Sequence, residues 1–176
     1  MRKIKLGSRF IGGIIVLIVV AVVISCFDGG KRDKIIGTWS YSKEWEYDDN
    51  FTVDVVMNLE FDDDTYRWYI DEEKTEKELN NLYNSCISYY NVTEEQIREE
   101  GYESIESYKQ MCLTEDMETL KKWVEEELPG GTWRITNGKF VYTVTGDSEQ
   151  YYNEFTIDGD TLVLKGTESI KLTKVS

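Results

Sequence analysis

Acidic side chains two residues apart are the first candidates for chemistry in this sequence. Asp62 and Asp64, and likewise Glu44 and Glu46, alternate along predicted strand positions, so each pair would share a face. Such pairs can serve acid–base catalysis or calcium binding. Asp62 to Asp64, however, falls where the chain must turn, and turns favour aspartate for backbone reasons. The sequence has no EF-hand loop, phosphate-binding glycine loop or nucleophile elbow, so we predict neither an enzyme nor a metal or cofactor site.

The composition excludes further classes of function. The 176 residues include no histidine, which removes Ser-His and Cys-His catalysis and the histidine-containing metal sites. The net charge is −14, and after residue 34 the chain offers only one pair of adjacent basic residues, Lys121 and Lys122. Phosphate contacts need clustered lysine and arginine, so we predict no nucleic-acid partner.

The first 25 residues have the pattern of an export signal. Arg2, Lys3, Lys5 and Arg9 precede a long apolar run that ends in Val23-Ile24-Ser25-Cys26. These four residues resemble the lipobox of bacterial lipoproteins, although that family usually has leucine where Val23 stands. The resemblance implies that Cys26 carries lipid, including palmitate-type acyl chains, and becomes the new N-terminus.

An uncleaved membrane anchor is the alternative for this segment. The 18 residues from Phe10 to Phe27 carry no charge and would form a helix of about 27 Å, just long enough to span a bilayer core. Both interpretations place the remaining chain at the cell membrane on the extracytoplasmic side. We therefore divide the chain into a signal peptide or anchor (1–25), a tether (26–34) and one domain (35–175).

Two blocks of period-two alternation predict the strands of that domain. Apolar residues alternate with polar ones over roughly residues 35–70 and 131–175, and the turn signal Asn137-Gly138 lies within the second block. We count about eight short strands in sequence. The predicted fold is mainly β, an antiparallel meander barrel of about eight strands with a helical insert.

The insert, residues 72–128, follows the third strand and has helical periodicity. Thr93 and Gln96 form a capping-box pattern, and Thr114 is predicted to cap the last of three to four short helices. From residue 71 to 128 the chain has 17 acidic and 6 basic residues, so the insert carries most of the negative charge. Such a charged face is usually solvated, and a docking surface for a basic partner is the second interpretation.

Cys86 and Cys112 both lie on apolar stripes of the insert. Outside the cytoplasm they can form a disulfide, which the sequence permits but does not require. Two buried free thiols that pack as small apolar groups are the other alternative.

The first and last strands resemble those of lipocalins. Gly37-Thr38-Trp39 stands where that family opens its first strand, and residues 152–164 are similar to the last hairpin of bacterial lipocalin-like domains. The resemblance implies that Gly37 and Trp39 close one barrel end, with an arginine packed over the tryptophan. Here only Lys171 or Lys174 is available for that place.

A barrel of this kind predicts a binding module for one small apolar or amphiphilic ligand. The alternatives are a solid aromatic core without a cavity, and a surface lipoprotein of the interaction or inhibitor type that uses its acidic insert to meet a basic protein. The insert could also cover an open barrel end as a lid. The candidate lining residues share inward-facing strand positions: Tyr41, Trp45, Met57, Trp68, Tyr142, Tyr151 and Phe155.

Overall fold

The computed structural model describes residues 28–166 and 169–175. Eight antiparallel strands follow one another in a meander that closes into a barrel, with β8 paired to β1. The mainly β barrel with a helical insert that the sequence predicts is therefore confirmed. The strands are β1 (Gly37–Glu46), β2 (Thr52–Phe61), β3 (Thr65–Ile70), β4 (Gly131–Thr136), β5 (Lys139–Val144), β6 (Tyr151–Asp158), β7 (Thr161–Lys165) and β8 (Ser169–Lys174).

Within the described part of the chain, one helix precedes the barrel and three form the insert. They are α1 (Asp28–Ile35), α2 (Glu72–Tyr89), α3 (Glu94–Glu99) and α4 (Ile105–Glu127). None of these described helices is long and apolar enough to cross a membrane. The predicted signal segment and Cys26 lie outside the described residues.

The described residues form two compact units. The helix-rich unit contains Ser42–Val56 and Ile70–Trp123. The strand-rich unit contains Met57–Tyr69 together with the described residues up to Tyr41 and from Val124 onward.

The core of the strand-rich unit consists of aromatic and aliphatic side chains at alternating strand positions. Its members include Trp39, Leu59, Phe61, Trp133 and Phe140, each at most 4% exposed. The hairpin between β4 and β5 turns at Asn137 and Gly138, whose φ angles of 53° and 74° are those of a type I′ turn. This two-residue turn fixes the register that pairs Trp133 with Tyr142.

The helix-rich unit has its own packing. Leu79, Leu82, Tyr83 and Cys86 form the buried stripe of α2, as their spacing predicts. Thr75 of α2 binds the backbone of Val56 twice: its hydroxyl donates to the carbonyl and accepts from the N–H, each at 3.1 Å. These bonds hold α2 against the end of β2 in this unit.

One local prediction differs from the structure. Thr114 does not cap a helix, because α4 runs unbroken through it and its hydroxyl donates to the Gln110 carbonyl at 2.9 Å within the helix. The segment predicted as a tether is helical from residue 28 onward. Eight residues of helix span about 12 Å, less than half of their extended length.

Candidate functional site

A cavity of about 120 Å³ lies within the strand-rich unit. Side chains from five strands surround it, and the end of α4 and the following loop complete the wall. Glu127 is exposed, so the cavity reaches the surface at that side. Its lining is mostly aromatic and aliphatic: Leu59, Phe61, Tyr66, Trp68, Glu127, Leu128, Pro129, Phe140, Tyr142, Val144, Asn153 and Leu164.

Asn153 is the buried polar group of this lining. Its side chain is 1% exposed, and neither its amide nitrogen nor its amide oxygen has a hydrogen-bond partner among the described residues. On β6 it stands between Tyr151 and Phe155 on the inward face, and it pairs across the sheet with Phe140. A buried amide without partners costs about 1–3 kcal/mol, so this residue weakens the fold unless something else satisfies it.

Tyrosine rings stack beside the cavity. Tyr142 packs on Tyr151 with ring centroids 5.3 Å apart and meets Tyr66 edge to face at 6.0 Å. Burial raises the pKa of Tyr142 to about 12, and the neighbouring Tyr151 hydroxyl adds to the shift. Burial also raises the pKa of Tyr66. Both hydroxyls therefore stay protonated at neutral pH and present neutral O–H groups.

The structure brings two of the seven candidate lining residues together at this cavity, Trp68 and Tyr142. Tyr41 packs edge to face on Trp68 at 6.5 Å, and Tyr151 stacks on Tyr142 while its hydroxyl donates to Asp147 at 2.5 Å. Each of these two residues thus supports a wall residue without lining the cavity itself.

The other three candidates lie elsewhere. Trp45 belongs to the helix-rich unit, where it meets Trp123 edge to face at 4.6 Å. Met57 is 2% exposed, and Phe155 is half-buried against the core with the Lys31 ammonium 5.7 Å from its ring. A ligand-lining role for these residues stays a prediction.

Trp39 is fully buried. Gly37, two residues earlier on β1, has a φ of +118°, which glycine adopts more readily than other residues. The Trp39 indole N–H donates to the Ile35 carbonyl at 2.6 Å, and the Lys174 ammonium lies 5.2 Å from the Trp39 ring centroid. Lys174 also donates to the Lys34 carbonyl at 3.2 Å. A lysine therefore takes the place of the arginine that the lipocalin resemblance implies.

Cys86 and Cys112 are free thiols, of which Cys86 is buried and Cys112 is half-buried, so the structure does not join them by a disulfide. Burial raises the pKa of Cys86 to about 11 and also raises that of Cys112. Both are consequently poor nucleophiles at neutral pH.

A buried carboxyl group lies in the same helix-rich unit. Asp116 is 7% exposed and accepts a hydrogen bond of 2.6 Å from the Tyr83 hydroxyl. Burial raises its pKa to about 6, with a smaller rise from Glu115, while the Tyr83 bond acts in the opposite direction. Sequence patterning had missed this acid because it stands among many exposed ones.

The paired carboxylates serve local roles. Asp62 accepts a hydrogen bond from the Asp63 N–H at 2.8 Å in the turn between β2 and β3, and Glu44 accepts one from the Thr52 hydroxyl at 3.2 Å. Within the described residues, no three acidic or cysteine side chains gather in a way that could hold a metal ion.

No protein-family model, curated protein or solved structure matches this chain. The eight-stranded antiparallel barrel is consistent with a lipocalin-like fold.

Sequence reasoning missed Asn153, although a signal was present. It is a lone amide in an inward-facing period-two series that otherwise reads Tyr151, Phe155 and Ile157. A polar residue at such a position is either paired or functional. The aromatic residues beside it are more obvious candidates for the lining of a pocket.

Proposed function

We propose that this protein is a membrane-tethered, extracytoplasmic binding module that holds one small ligand inside its barrel. The observation that carries the proposal is Asn153, a fully buried amide that faces a cavity and has no hydrogen-bond partner among the described residues. A cavity with an apolar wall and one unsatisfied polar group has the composition of small-molecule sites. A bound ligand would supply the missing hydrogen bonds and recover the cost of burying the amide.

The cavity can be tested with fluorobenzene, a probe of one ring. We expect the full chain in detergent micelles to broaden or shift its fluorine resonance beyond protein-free micelles. Val144→Phe places a ring in the cavity wall and should reduce this binding at least about tenfold. The control Thr156→Phe adds the same ring at an exposed position of β6 and should leave binding unchanged.

Identical spectra for the wild type and Val144→Phe would contradict a ligand cavity. The comparison is direct because both variants add one phenyl ring to the same sheet.

The tether is the second part of the proposal, and it is supported by the export pattern before Cys26. Only Phe27 separates Cys26 from α1. A lipidated Cys26 would therefore hold α1 and the strand-rich unit close to the membrane surface.

Cys26→Ala separates the two forms of tether. With a lipid anchor, the variant loses acyl labelling and moves to the soluble fraction of expressing cells. With an uncleaved helix it stays in the membrane fraction. Wild-type protein that is soluble and unmodified would contradict both.

A second function is favoured by an exposed aromatic patch of the helix-rich unit, which we call the tyrosine patch: Phe51, Tyr89 and Tyr90. Tyr89 is 59% and Tyr90 47% exposed, and Phe51 meets Tyr89 edge to face at 5.4 Å. The Tyr90 hydroxyl donates to Asp48 at 3.1 Å, which places a carboxylate beside the rings. Aromatic faces next to carboxylates suit lysine and arginine side chains of a basic protein.

A labelled peptide of alternating lysine and arginine tests this alternative by fluorescence polarisation. Binding should weaken steeply with added salt and fall when Tyr89 and Tyr90 are both replaced by serine. Tyr152→Ser, at an equally exposed tyrosine of β6, is the matched control. Equal binding by all three proteins would remove the tyrosine patch from consideration.

A further inference from the structure

The cavity also limits the chemistry of its occupant, an inference that rests on the proposed function. The carboxamide of Asn153 presents an N–H donor and a carbonyl acceptor side by side in one plane. Both atoms are buried and without a partner among the described residues. The complementary partner is an edge that carries an acceptor next to a donor, as in the pairing of asparagine with adenine.

The size and the walls of the cavity point to one flat ring. Its volume of about 120 Å³ is close to the roughly 150 Å³ of cavities that accept benzene. Five of the wall residues are aromatic, namely Phe61, Tyr66, Trp68, Phe140 and Tyr142. Aromatic walls favour a flat aromatic guest through edge-to-face and offset contacts.

The charge of the lining excludes anions. Among the described residues that line it, Glu127 is the only ionisable one besides the tyrosines, and none is a lysine or an arginine. A carboxylate or phosphate that entered the cavity would lose its hydration and find no cationic partner there. It would also be repelled by Glu127. A fatty acid in its ionised form is therefore a poor occupant.

We infer that the cavity selects a neutral single-ring ligand with an N–H donor adjacent to a carbonyl acceptor, as in a lactam. Asn153 supplies the complementary pair of hydrogen bonds, and the aromatic walls contact the faces and edges of the ring. Specificity comes from the amide, since a ring without this edge leaves the buried amide unpaired.

Three pyridones test the inference on the wild-type full chain, with affinity measured by calorimetry or by ligand NMR. 2-Pyridone and 3-methyl-2-pyridone keep the donor, whereas 1-methyl-2-pyridone has the same size as the second and lacks it. We expect the two donors to bind at least about tenfold more tightly than the N-methyl compound. Equal affinity of the two methyl isomers would overturn the inference.

Asn153→Leu provides the reciprocal test. Leucine neither donates nor accepts a hydrogen bond, so this variant should bind 3-methyl-2-pyridone and 1-methyl-2-pyridone with nearly equal affinity. Unchanged preference in a folded variant would overturn the inference, and the wild-type pyridone series decides the matter if the variant does not fold.

The results also separate this inference from the proposed function. If fluorobenzene binds and the pyridones show no donor preference, the cavity is a ligand site of another chemistry. If neither fluorobenzene nor any pyridone binds, the proposed function fails with it.

Discussion

At the scale of single residues, Asn153 is a polar group on a strand face whose neighbouring positions are aromatic. The inward positions of β6 on either side hold aromatic rings that pack, whereas the amide is buried without a described partner. A residue that lowers stability at a cavity wall is typical of a site shaped for binding.

Asn153→Leu should therefore raise the free energy of unfolding by about 1–3 kcal/mol while it weakens pyridone binding, because leucine has a similar size and leaves no polar atom unpaired. Chemical denaturation of the empty protein measures the first effect. Thr75→Val is the control, since the fully buried Thr75 hydroxyl makes two hydrogen bonds to the Val56 backbone, and this variant should lose stability. A loss of stability in Asn153→Leu would show that the amide is satisfied in the folded protein.

Asp116 gives a pH dependence of known sign. Its pKa of about 6 in the folded protein lies above the ordinary aspartate pKa of 3.8, so protonation favours the folded state. This contribution is present in acid and is lost as the pH rises through about 6. The opposite sign would hold for a carboxylate that folding stabilises in its charged form.

In Asp116→Asn, the decrease in unfolding free energy from pH 4.5 to 7.5 should be smaller than in the wild type, by on the order of 2 kcal/mol. Denaturant titrations at the two pH values measure it. Glu118→Gln changes an exposed carboxylate on α4 and serves as the control. Parallel pH profiles for the wild type and Asp116→Asn would contradict a titration of Asp116 near pH 6.

At the scale of elements, short sequence motifs correctly predicted the helix cap and the hairpin turn, because these features depend on residues close together in the chain. The capping box of α3 is present as expected: Thr93 accepts from the Gln96 N–H, and the Gln96 side chain accepts from the Thr93 N–H at 2.9 Å. The Asn137-Gly138 hairpin likewise depends on two adjacent residues. Thr114 shows where such signals end, because a threonine inside a helix bonds to its own backbone and resembles a cap only in sequence.

Thr93→Ala should destabilise α3 by about 1 kcal/mol, because it removes the side-chain acceptor for the Gln96 N–H. Hydrogen exchange of the Gln96 and Ile97 amides reports the change locally. Thr93→Ser retains the hydroxyl and should exchange at nearly the wild-type rate. Protection that is equal in all three proteins would show that the cap contributes nothing to α3.

The N-terminal helix α1 is another element whose attachment the sequence did not reveal. Lys31 lies over Phe155, Arg32 bonds to Asp63, and the Ile35 carbonyl accepts from Trp39. The first two of these contacts join residues far apart in sequence, and spacing alone carries no information about such pairs.

At the scale of the whole molecule, alternation predicted eight strands and helical periodicity predicted the insert, since both patterns repeat over many residues. The closure of the barrel followed from the order of hairpins, and β8 pairs with β1 through Trp39 and Lys174. The cavity was not predictable in the same way. Its position depends on how Trp68, Tyr142 and Leu164 meet across several strands, whereas Tyr41 and Tyr151 have the same pattern and lie behind the wall.

The Asn153 side-chain amide resonance is the most direct measurement of the central claim, that a ligand in the barrel pairs with this group. In a proton–nitrogen spectrum of the full chain, the resonance can be assigned by its loss in Asn153→Leu. We predict that 2-pyridone shifts it saturably and that 1-methyl-2-pyridone at the same concentration shifts it far less. An amide resonance that stays in place at saturating 2-pyridone would contradict the account.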